Sequence, residues 1–322
     1  NCGVLDLPGF SRFTLSGKGS SQYLLGLITG GLPKTGRMNL AYFADTRGRI
    51  LTEMSVIRHE HDRFTLITAA SAQWHDFDIL NNGLPEFLTL KDNTNEISTL
   101  IVTGPKSRDV LNAIGTDADL SLGWLSHQSA VLADQPCTLI RVSFAGELGW
   151  EVHAENAKIP ILYDAIISTG AKPFGMYALN SLRIEKGYRA WKGDLSTDYS
   201  LFEGGLGRFV KLDKVENFPG KAALQSEMQQ GSKKFFATLI VEAGASDAPY
   251  MSTIWYDGKI VGETTSGAFG YRVGKSIALC VLRSDVAAAG TEVEVEIFGQ
   301  RCRATVQLDQ PLWDSNNDRL RA

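Results

Sequence analysis

Cysteine is scarce in this sequence, and long apolar stretches are absent from it. The four cysteines form no CxxC pair, and four among 322 residues are too few for a disulfide framework. Cys137 borders an apolar run and Cys280 lies inside one, so we expect both to be buried as small hydrophobic residues. No apolar run approaches the roughly 18 residues of a membrane span, and no secretory segment opens the chain. We expect a protein of the cytoplasm, or of the mitochondrial matrix in a eukaryote.

An excess of positive charge is also lacking. The chain has 32 basic and 36 acidic residues and a formal net charge of −4, which argues against a general nucleic-acid binder. A net charge of −4 still allows a local basic pocket for a small anionic ligand. Apolar residues make up 43% and charged residues 21%, as in ordinary globular proteins. The first residue is Asn1 rather than Met, so we expect a piece of a longer protein.

Short β-strands with helices between them dominate the first two thirds of the chain. Residues 40–44 and 50–58 are predicted to form strands joined by a turn at 45–48. A helix capped by Ser20 and Ser21 is predicted to end near Gly30, and a long helix to cover 176–191. Two further expectations concern side chains: Trp74 and Trp124 in the core, and Glu185 with Arg189 as a surface pair spaced i, i+4.

The last third has a different composition. Residues 225–234 are polar and are predicted to form a linker, and from 235 short β-runs alternate with turns such as Asp257-Gly258. This pattern predicts a small β-barrel or sandwich. We therefore expect two domains, at 1–230 and 235–322.

The common signatures of enzyme active sites are missing. The sequence contains no GxxxxGK[ST], GxSxG or HExxH pattern, and the glycines at 204–207 are only half of a dinucleotide loop. His59 and His61 are interpreted as a polar strand end at a turn rather than as metal ligands. No nucleophile stands beside a base, so an enzyme built from this chain would take its nucleophile from a substrate or cofactor.

Three segments carry the pattern of one enzyme family. Residues 143–151 read SFAGELGWE and resemble SYxGELGWE, while 182–191 read LRIEKGYRAW and resemble LRLEKGYRxWG. The third segment runs from EGGLG at 203 through VKLDK at 210 to FPGK at 218, and it resembles EAGLxxxVKLDKxxFIGK. VGETTSG at 261–267 follows in family order. The chain thus resembles the glycine-cleavage T-protein family of aminomethyltransferases.

Within this family the likeness is greatest to the folate-binding C-terminal half of dimethylglycine and sarcosine dehydrogenases. GRILTEMSV at 48–56 resembles their GRVYAELTV strand, and IWYDGK at 254–259 resembles SIWYKGK. In those enzymes an N-terminal FAD domain oxidises an N-methyl amine, and tetrahydrofolate captures the carbon as 5,10-methylenetetrahydrofolate. The resemblance implies tetrahydrofolate and a small amine donor as ligands, with FAD only in a domain or subunit outside this chain. It implies an α+β fold with mixed α/β lobes around a folate site, plus a C-terminal β-barrel.

The resemblance also assigns roles to individual residues. Glu53 matches the family's catalytic carboxylate beside the folate nitrogens, and on a strand it shares a face with Leu51 and Ser55. Glu151 matches the carboxylate that accepts hydrogen bonds from the pterin edge. The other residues placed at the folate site are Met54, Ser55, Phe144, Val152, His153, Arg183 and Arg208.

Three of these residues depart from the family pattern. Phe144, His153 and Arg208 stand where relatives have tyrosine, so three hydroxyl groups are replaced. Phe144 keeps a stacking ring, and Arg208 could pair with a carboxylate of a polyglutamyl tail.

Three functions follow as alternatives. The first is one-carbon transfer from an N-methyl amine to tetrahydrofolate, and the second is a stand-alone folate-dependent methyltransferase or aminomethyltransferase. The third is a folate-binding module without catalysis, against which the absence of a KGCYxGQ cysteine motif counts.

Overall fold

The computed structural model describes residues 1–307 and 310–322, and within them strands outnumber helices. The helices are α1 (Ser20–Leu25), α2 (Gln73–Asn81), α3 (Ser107–Ala113), α4 (Ile159–Ser168), α5 (Met176–Glu185) and α6 (Lys221–Gln230). The strands are β1 (Gly3–Asp6), β2 (Phe10–Ser16), β3 (Arg37–Ala44), β4 (Ile50–Glu60), β5 (Arg63–Ala69), β6 (Thr89–Asp92), β7 (Ile97–Thr103), β8 (His127–Leu132), β9 (Gln135–Ile140), β10 (Gly149–Glu155), β11 (Lys172–Pro173), β12 (Lys234–Val241), β13 (Thr253–Tyr256), β14 (Lys259–Gly270), β15 (Lys275–Arg283), β16 (Glu292–Ile297) and β17 (Gln300–Val306). None of the helices in these residues has the length and apolar character to span a membrane.

The chain divides into two compact units. Unit 1 consists of Asn1–Tyr42, Glu53–Gly175 and Asn317–Ala322, and unit 2 consists of Phe43–Thr52 and Met176–Asn316. The tip of the β3–β4 hairpin therefore belongs to unit 2, while the rest of the hairpin belongs to unit 1.

Unit 1 contains two sheets. One has the order β3-β4-β5-β2-β6, and the other has the order β11-β1-β7-β10-β9-β8. Met38, Ile57 and Ile67 of the first sheet form a buried cluster with Ile140 of the second, so these faces are turned toward each other. The opposite face of the second sheet, with Trp150 at its centre, packs against α3 and α4 in the larger core.

Unit 2 contains a closed barrel with the strand order β12-β15-β14-β13-β16-β17. The barrel closes where β12 pairs with β17 at Leu239 and Val306. Apolar side chains from alternate positions fill its interior. The predicted C-terminal β-barrel and the α+β class are both confirmed. The boundary between domains at 230–235 stays a prediction.

Two predicted helices are wrong at their ends, and one predicted linker is largely a helix. The long helix stops at Glu185 because Gly187, at a φ of +64°, ends it, with the Tyr188 amide bonded to the Arg183 carbonyl at 3.0 Å. The first helix stops at Leu25, and its N-cap is Gly19 rather than a serine hydroxyl. The predicted linker at 225–234 is largely α6, because its polar residues are also good helix formers that need only one buried contact, Leu224.

The prediction of buried cysteines is correct, and the prediction of a buried Trp74 is not. The cysteine prediction is confirmed, since Cys137 and Cys280 are buried. Trp74 is 73% exposed and not in the core, because α2 buries the face that carries Asp76 and Leu80.

The predicted surface pair of Glu185 and Arg189 is also wrong. The helix ends at Glu185, which is buried and pairs with Arg272, while the Arg189 guanidinium lies 4.0 Å from the Phe236 ring centre.

Candidate functional site

Two side chains of β10 in unit 1, the carboxylate of Glu151 and the imidazole of His153, are hydrogen-bonded to each other. His153 Nε2 lies 2.9 Å from Glu151 Oε2, and both side chains project from the same face of the strand. Glu151 remains 24% exposed, whereas His153 is only 8% exposed. No other side-chain hydrogen bond joins Glu151 to the described residues, so its second oxygen, Oε1, can accept from a ligand.

Two more residues extend this pair into the protein. Thr99 of β7 is the cross-strand partner of His153, and its Oγ1 lies 3.3 Å from His153 Nδ1. The Arg12 guanidinium of β2 donates to the same hydroxyl and to the Ile97 carbonyl at 2.9 Å. Arg12 is 2% exposed, and its burial lowers the pKa of the guanidinium to about 10, an effect that nearby Glu151 opposes. The Arg12–Thr99–His153–Glu151 chain therefore connects the two sheets of unit 1.

Glu53 lies on the facing side of the other sheet. Along β4, Met54 is fully buried while Glu53 and Ser55 are half-buried on the opposite face, which confirms the predicted alternation. Ser55 pairs with Ile67 and Ile67 with Arg12, so these side chains project to one face. Since Arg12 reaches Thr99 across the gap, Glu53, Ser55, Glu151 and His153 all face the layer between the two sheets. We call this layer the interlayer.

Three other predicted residues of unit 1 are placed as follows. The side chains of Met54 and Val152 are buried away from the interlayer, so only their backbone could touch a ligand there. Phe144 is half-buried in the connection between β9 and β10.

The two predicted arginines lie in unit 2. Arg183 is buried, and all five of its N–H groups are occupied by protein acceptors. These acceptors are Asn180 Oδ1 (2.9 and 2.7 Å), Tyr188 O (2.9 Å), Asp194 Oδ2 (2.5 Å) and Ser266 Oγ (2.7 Å). This geometry gives Arg183 a structural role. Arg208 is exposed on a short 3₁₀ turn, 4.8 Å from the Phe209 ring centre.

A histidine pair borders the interlayer. The rings of His59 and His127 meet edge to face with centres 4.9 Å apart, and His59 Nε2 lies 2.9 Å from Thr65 Oγ1. Burial, and then the neighbouring His127, lowers the pKa of His59 to about 4. The pKa of His127 is also lowered, chiefly by burial, so both rings are neutral at physiological pH.

Sequence reasoning missed Arg12 and Thr99. The available signal was a charged residue inside the strand FSRFTLS, flanked on both sides by residues that the strand buries. A buried arginine needs acceptors, so such a position indicates a polar contact inside the fold. The identity of that contact depends on Thr99, 87 positions away, which no local pattern could reveal.

Comparison with known families gave two matches that together cover most of the chain. The model described as the GCVT N-terminal domain matches residues 1–214. The model of the glycine cleavage T-protein C-terminal barrel domain matches residues 234–314, the region that forms the barrel.

Individual relatives extend these matches. The mouse mitochondrial dimethylglycine dehydrogenase is 36% identical over 96% of this chain, which spans only 37% of that relative's length. An aminomethyltransferase of Shouchella clausii is 30% identical over 94% of this chain and 84% of its own length. The crystal structure of glycine cleavage system aminomethyltransferase T from Bartonella henselae has the same fold, with a TM-score of 0.89, 21% identity and coverage of 98% of this chain and 87% of its own.

Proposed function

The chain belongs to the glycine cleavage T-protein family of aminomethyltransferases, and on that premise we propose tetrahydrofolate-dependent one-carbon transfer as its function. One observation carries the proposal: Glu151 is held at one oxygen by His153 and is partly exposed at the interlayer. The family membership confirms the resemblance inferred from the sequence motifs.

The hydrogen-bond acceptors that Glu151 presents at the interlayer fit a pterin edge. The 2-amino and N3 groups of a pterin are two adjacent N–H donors, and an ionised carboxylate is an acceptor at both oxygens. Glu151 Oε1 and the remaining lone pair of Oε2 can receive them. Phe144 is half-buried just before β10, and in this proposal its aromatic ring stacks against the planar ligand. Glu151 would hold the pterin edge, and Phe144 would orient the ring.

Glu53 is the proposed proton-handling group. When bound, tetrahydrofolate would supply the attacking nitrogens and leave as 5,10-methylenetetrahydrofolate. Glu53 faces the interlayer from β4 and is half-buried, so its carboxylate can accept the proton released at a folate nitrogen. Thr68 Oγ1 lies 3.3 Å from the Glu53 carbonyl and within hydrogen-bond distance of the buried Asp76 carboxyl group, so its one hydrogen is shared between these two acceptors. These contacts hold the strand beneath Glu53 in place.

The carbon donor we propose is an N-methyl amine of the dimethylglycine or sarcosine type. Support comes from the mitochondrial dimethylglycine dehydrogenases of mouse and human, 36% and 35% identical to this chain, which spans 37% of each. The remaining length of such a relative could hold a flavin domain. We therefore propose that the chain works beside an FAD-containing domain or subunit that oxidises the amine.

A stand-alone aminomethyltransferase is the second candidate. The Shouchella clausii relative favours it, because this chain spans 84% of that protein's length. Purification of the native protein from its source separates the two candidates. A polypeptide much longer than 322 residues, or a tight complex, with visible flavin absorbance supports the first candidate. A colourless protein near 35.1 kDa supports the second.

Folate binding is tested by calorimetry and thermal shift with 5-formyltetrahydrofolate. We expect binding and a raised melting temperature, since a ligand that binds only the folded state stabilises it. Glu151→Gln should weaken binding about tenfold or more, because it removes a charged acceptor.

Glu155→Gln is the matched control, since Glu155 lies on the same face of β10 but is exposed, and its side chain makes no hydrogen bond to the described residues. Its affinity should equal that of the parent. The absence of heat and thermal shift at millimolar folate would refute the proposed function.

A further inference from the structure

We propose that His153 is a positioning residue that fixes Glu151, and that Arg12 and Thr99 hold its ring in one tautomer. This inference rests on the proposed function, in which Glu151 receives the pterin edge. It adds Arg12 and Thr99 to the site, to which no motif of the sequence assigned a role, and it gives His153 a defined one. Their contribution is orientation, since Arg12 and His153 are both almost fully buried behind Glu151.

One direction along this chain gives every hydrogen-bonding hydrogen an acceptor. Arg12 is a donor only, so Thr99 Oγ1 must accept from it. The Thr99 hydroxyl hydrogen has no other acceptor among the described residues, so His153 Nδ1, at 3.3 Å, accepts it. At the far end an ionised carboxylate accepts only, so His153 Nε2 must carry the hydrogen that bonds Glu151 Oε2 at 2.9 Å. The result is a neutral imidazole in the Nε2–H tautomer.

The charged and titratable surroundings agree with this assignment. The groups that face His153 are Glu151 beside it on β10, Arg12 from β2, and the His59 and His127 pair from β4 and β8. His59 and His127 are neutral at physiological pH, so Arg12 and Glu151 carry the charges nearest His153. The unprotonated Nδ1 then lies on the side of the positive Arg12, and the Nε2–H lies on the side of the negative Glu151.

A fixed carboxylate binds a ligand more tightly than a mobile one. A glutamate side chain that is ordered only on binding adds its lost rotamer freedom to the unfavourable part of the binding free energy. His153 orders Glu151 before the ligand arrives and leaves Oε1 as the oxygen that meets it. The same bond keeps Oε2 at a set distance from β10, so the pterin edge has one docking position.

The first test is spectroscopic and needs no ligand. In the full chain labelled with ¹⁵N-histidine, we expect the His153 ring to show a protonated Nε2 and an unprotonated Nδ1 at neutral pH. Thr99→Val removes the hydroxyl and should shift the Nδ1 signal. Thr138→Val is the matched control, because Thr138 pairs with His153 from the other side, on β9, and makes no side-chain hydrogen bond to the described residues. A protonated Nδ1 in the parent, or equal shifts in both variants, overturns the proposal.

The second test measures affinity for 5-formyltetrahydrofolate. His153→Phe keeps a ring but no donor, and it should weaken binding about tenfold. His153→Gln places an amide nitrogen close to the position of Nε2 and should recover most of that loss. Thr99→Val should weaken binding several-fold, and Thr138→Val should not weaken it.

The outcomes separate this proposal from the proposed function. If the parent binds folate and His153→Phe binds equally well, positioning is refuted while the folate site stands. If the parent does not bind folate, the proposed function fails, and the tautomer measurement still decides the arrangement of Arg12, Thr99 and His153. If His153→Phe fails to fold, the comparison of Thr99→Val with Thr138→Val decides.

Discussion

Glu53 is the residue whose substitution separates catalysis from binding. Glu53→Gln keeps the shape and most hydrogen bonding of the side chain but removes the base. If Glu53 handles a proton, the rate should fall roughly 10²–10⁴-fold while folate affinity changes little. The assay follows methylenetetrahydrofolate formation above the spontaneous reaction with formaldehyde, or from an amine donor supplied with the proposed flavin-containing domain or subunit.

Glu53→Asp is the control for that experiment. It shortens the side chain by one methylene and keeps the carboxylate, so it should stay active. A Glu53→Gln variant as fast as the parent at saturating folate would remove Glu53 from the mechanism. Loss of affinity with an unchanged saturated rate would make Glu53 an anchor for the ligand.

At this scale, local pattern predicted some site residues and could not predict others. Because side chains alternate between the two faces of a strand, the pattern of β4 placed Glu53 and Ser55 on one face. For the same reason Glu151 and His153, two positions apart, were expected on one face of β10. Arg183 was placed at the site by motif likeness, yet its five donors are satisfied inside unit 2. Whether an arginine on a helix meets a ligand or a buried carboxylate depends on long-range packing, which spacing does not encode.

At the scale of elements, α1 depends on a carboxylate from another part of the chain. Asp62, in the turn between β4 and β5, accepts the Gly19 and Ser21 amides at 3.1 and 3.0 Å. Asp62→Ala should lower the free energy of unfolding by about 1 kcal/mol, as for the loss of an N-cap. Asp78→Ala, at an exposed position of α2, is the control and should stay within about 0.5 kcal/mol. Urea denaturation at neutral pH measures both.

The same contact gives a pH dependence with a defined sign. The hydrogen bond from the Ser21 amide, aided by that from Gly19, holds the pKa of Asp62 well below its usual range. A carboxyl group whose pKa is lower in the folded than in the unfolded state stabilises the fold above its unfolded pKa of about 3.9. That contribution should disappear as the pH falls through the lower, folded value. An Asp62→Ala deficit that is the same at neutral pH and in strong acid would contradict this.

Element ends were harder to predict than element types. The helix at 159–168 and the paired strands around the turn at 45–48 follow from local pattern. The cap of α1 could not be predicted, because Asp62 lies some 40 residues beyond the helix. The α6 segment was misjudged because a helix with one buried leucine carries almost no apolar periodicity.

At the scale of the whole molecule, one buried carboxylate links three parts of unit 2. Asp194 is fully buried and accepts from Arg183 of α5, from Thr265 Oγ1 of β14 at 2.6 Å, and from the Ala190 amide at 2.8 Å. Ser181 of α5 also bonds the Phe269 carbonyl of β14 at 2.6 Å. These bonds join α5 and the loop after it to the barrel. They bear directly on whether the barrel at 235–322 behaves as a separate domain.

Two arginine–aspartate pairs of unit 2 supply a matched comparison. Asp194→Ala leaves the buried Arg183 charged and unpaired, and should cost about 3–5 kcal/mol. Asp285→Ala breaks an exposed pair with Arg283 that water and salt screen, so it should cost far less than Asp194→Ala. Native-state hydrogen exchange of the full chain then reports where protection is lost. Because Asp194 bonds both α5 and β14, we expect Asp194→Ala to lower the protection of α5 and of the barrel strands together. If the barrel kept its protection while α5 lost it, the boundary predicted at 230–235 would describe a real domain, and the bonds of Asp194 would not couple the two.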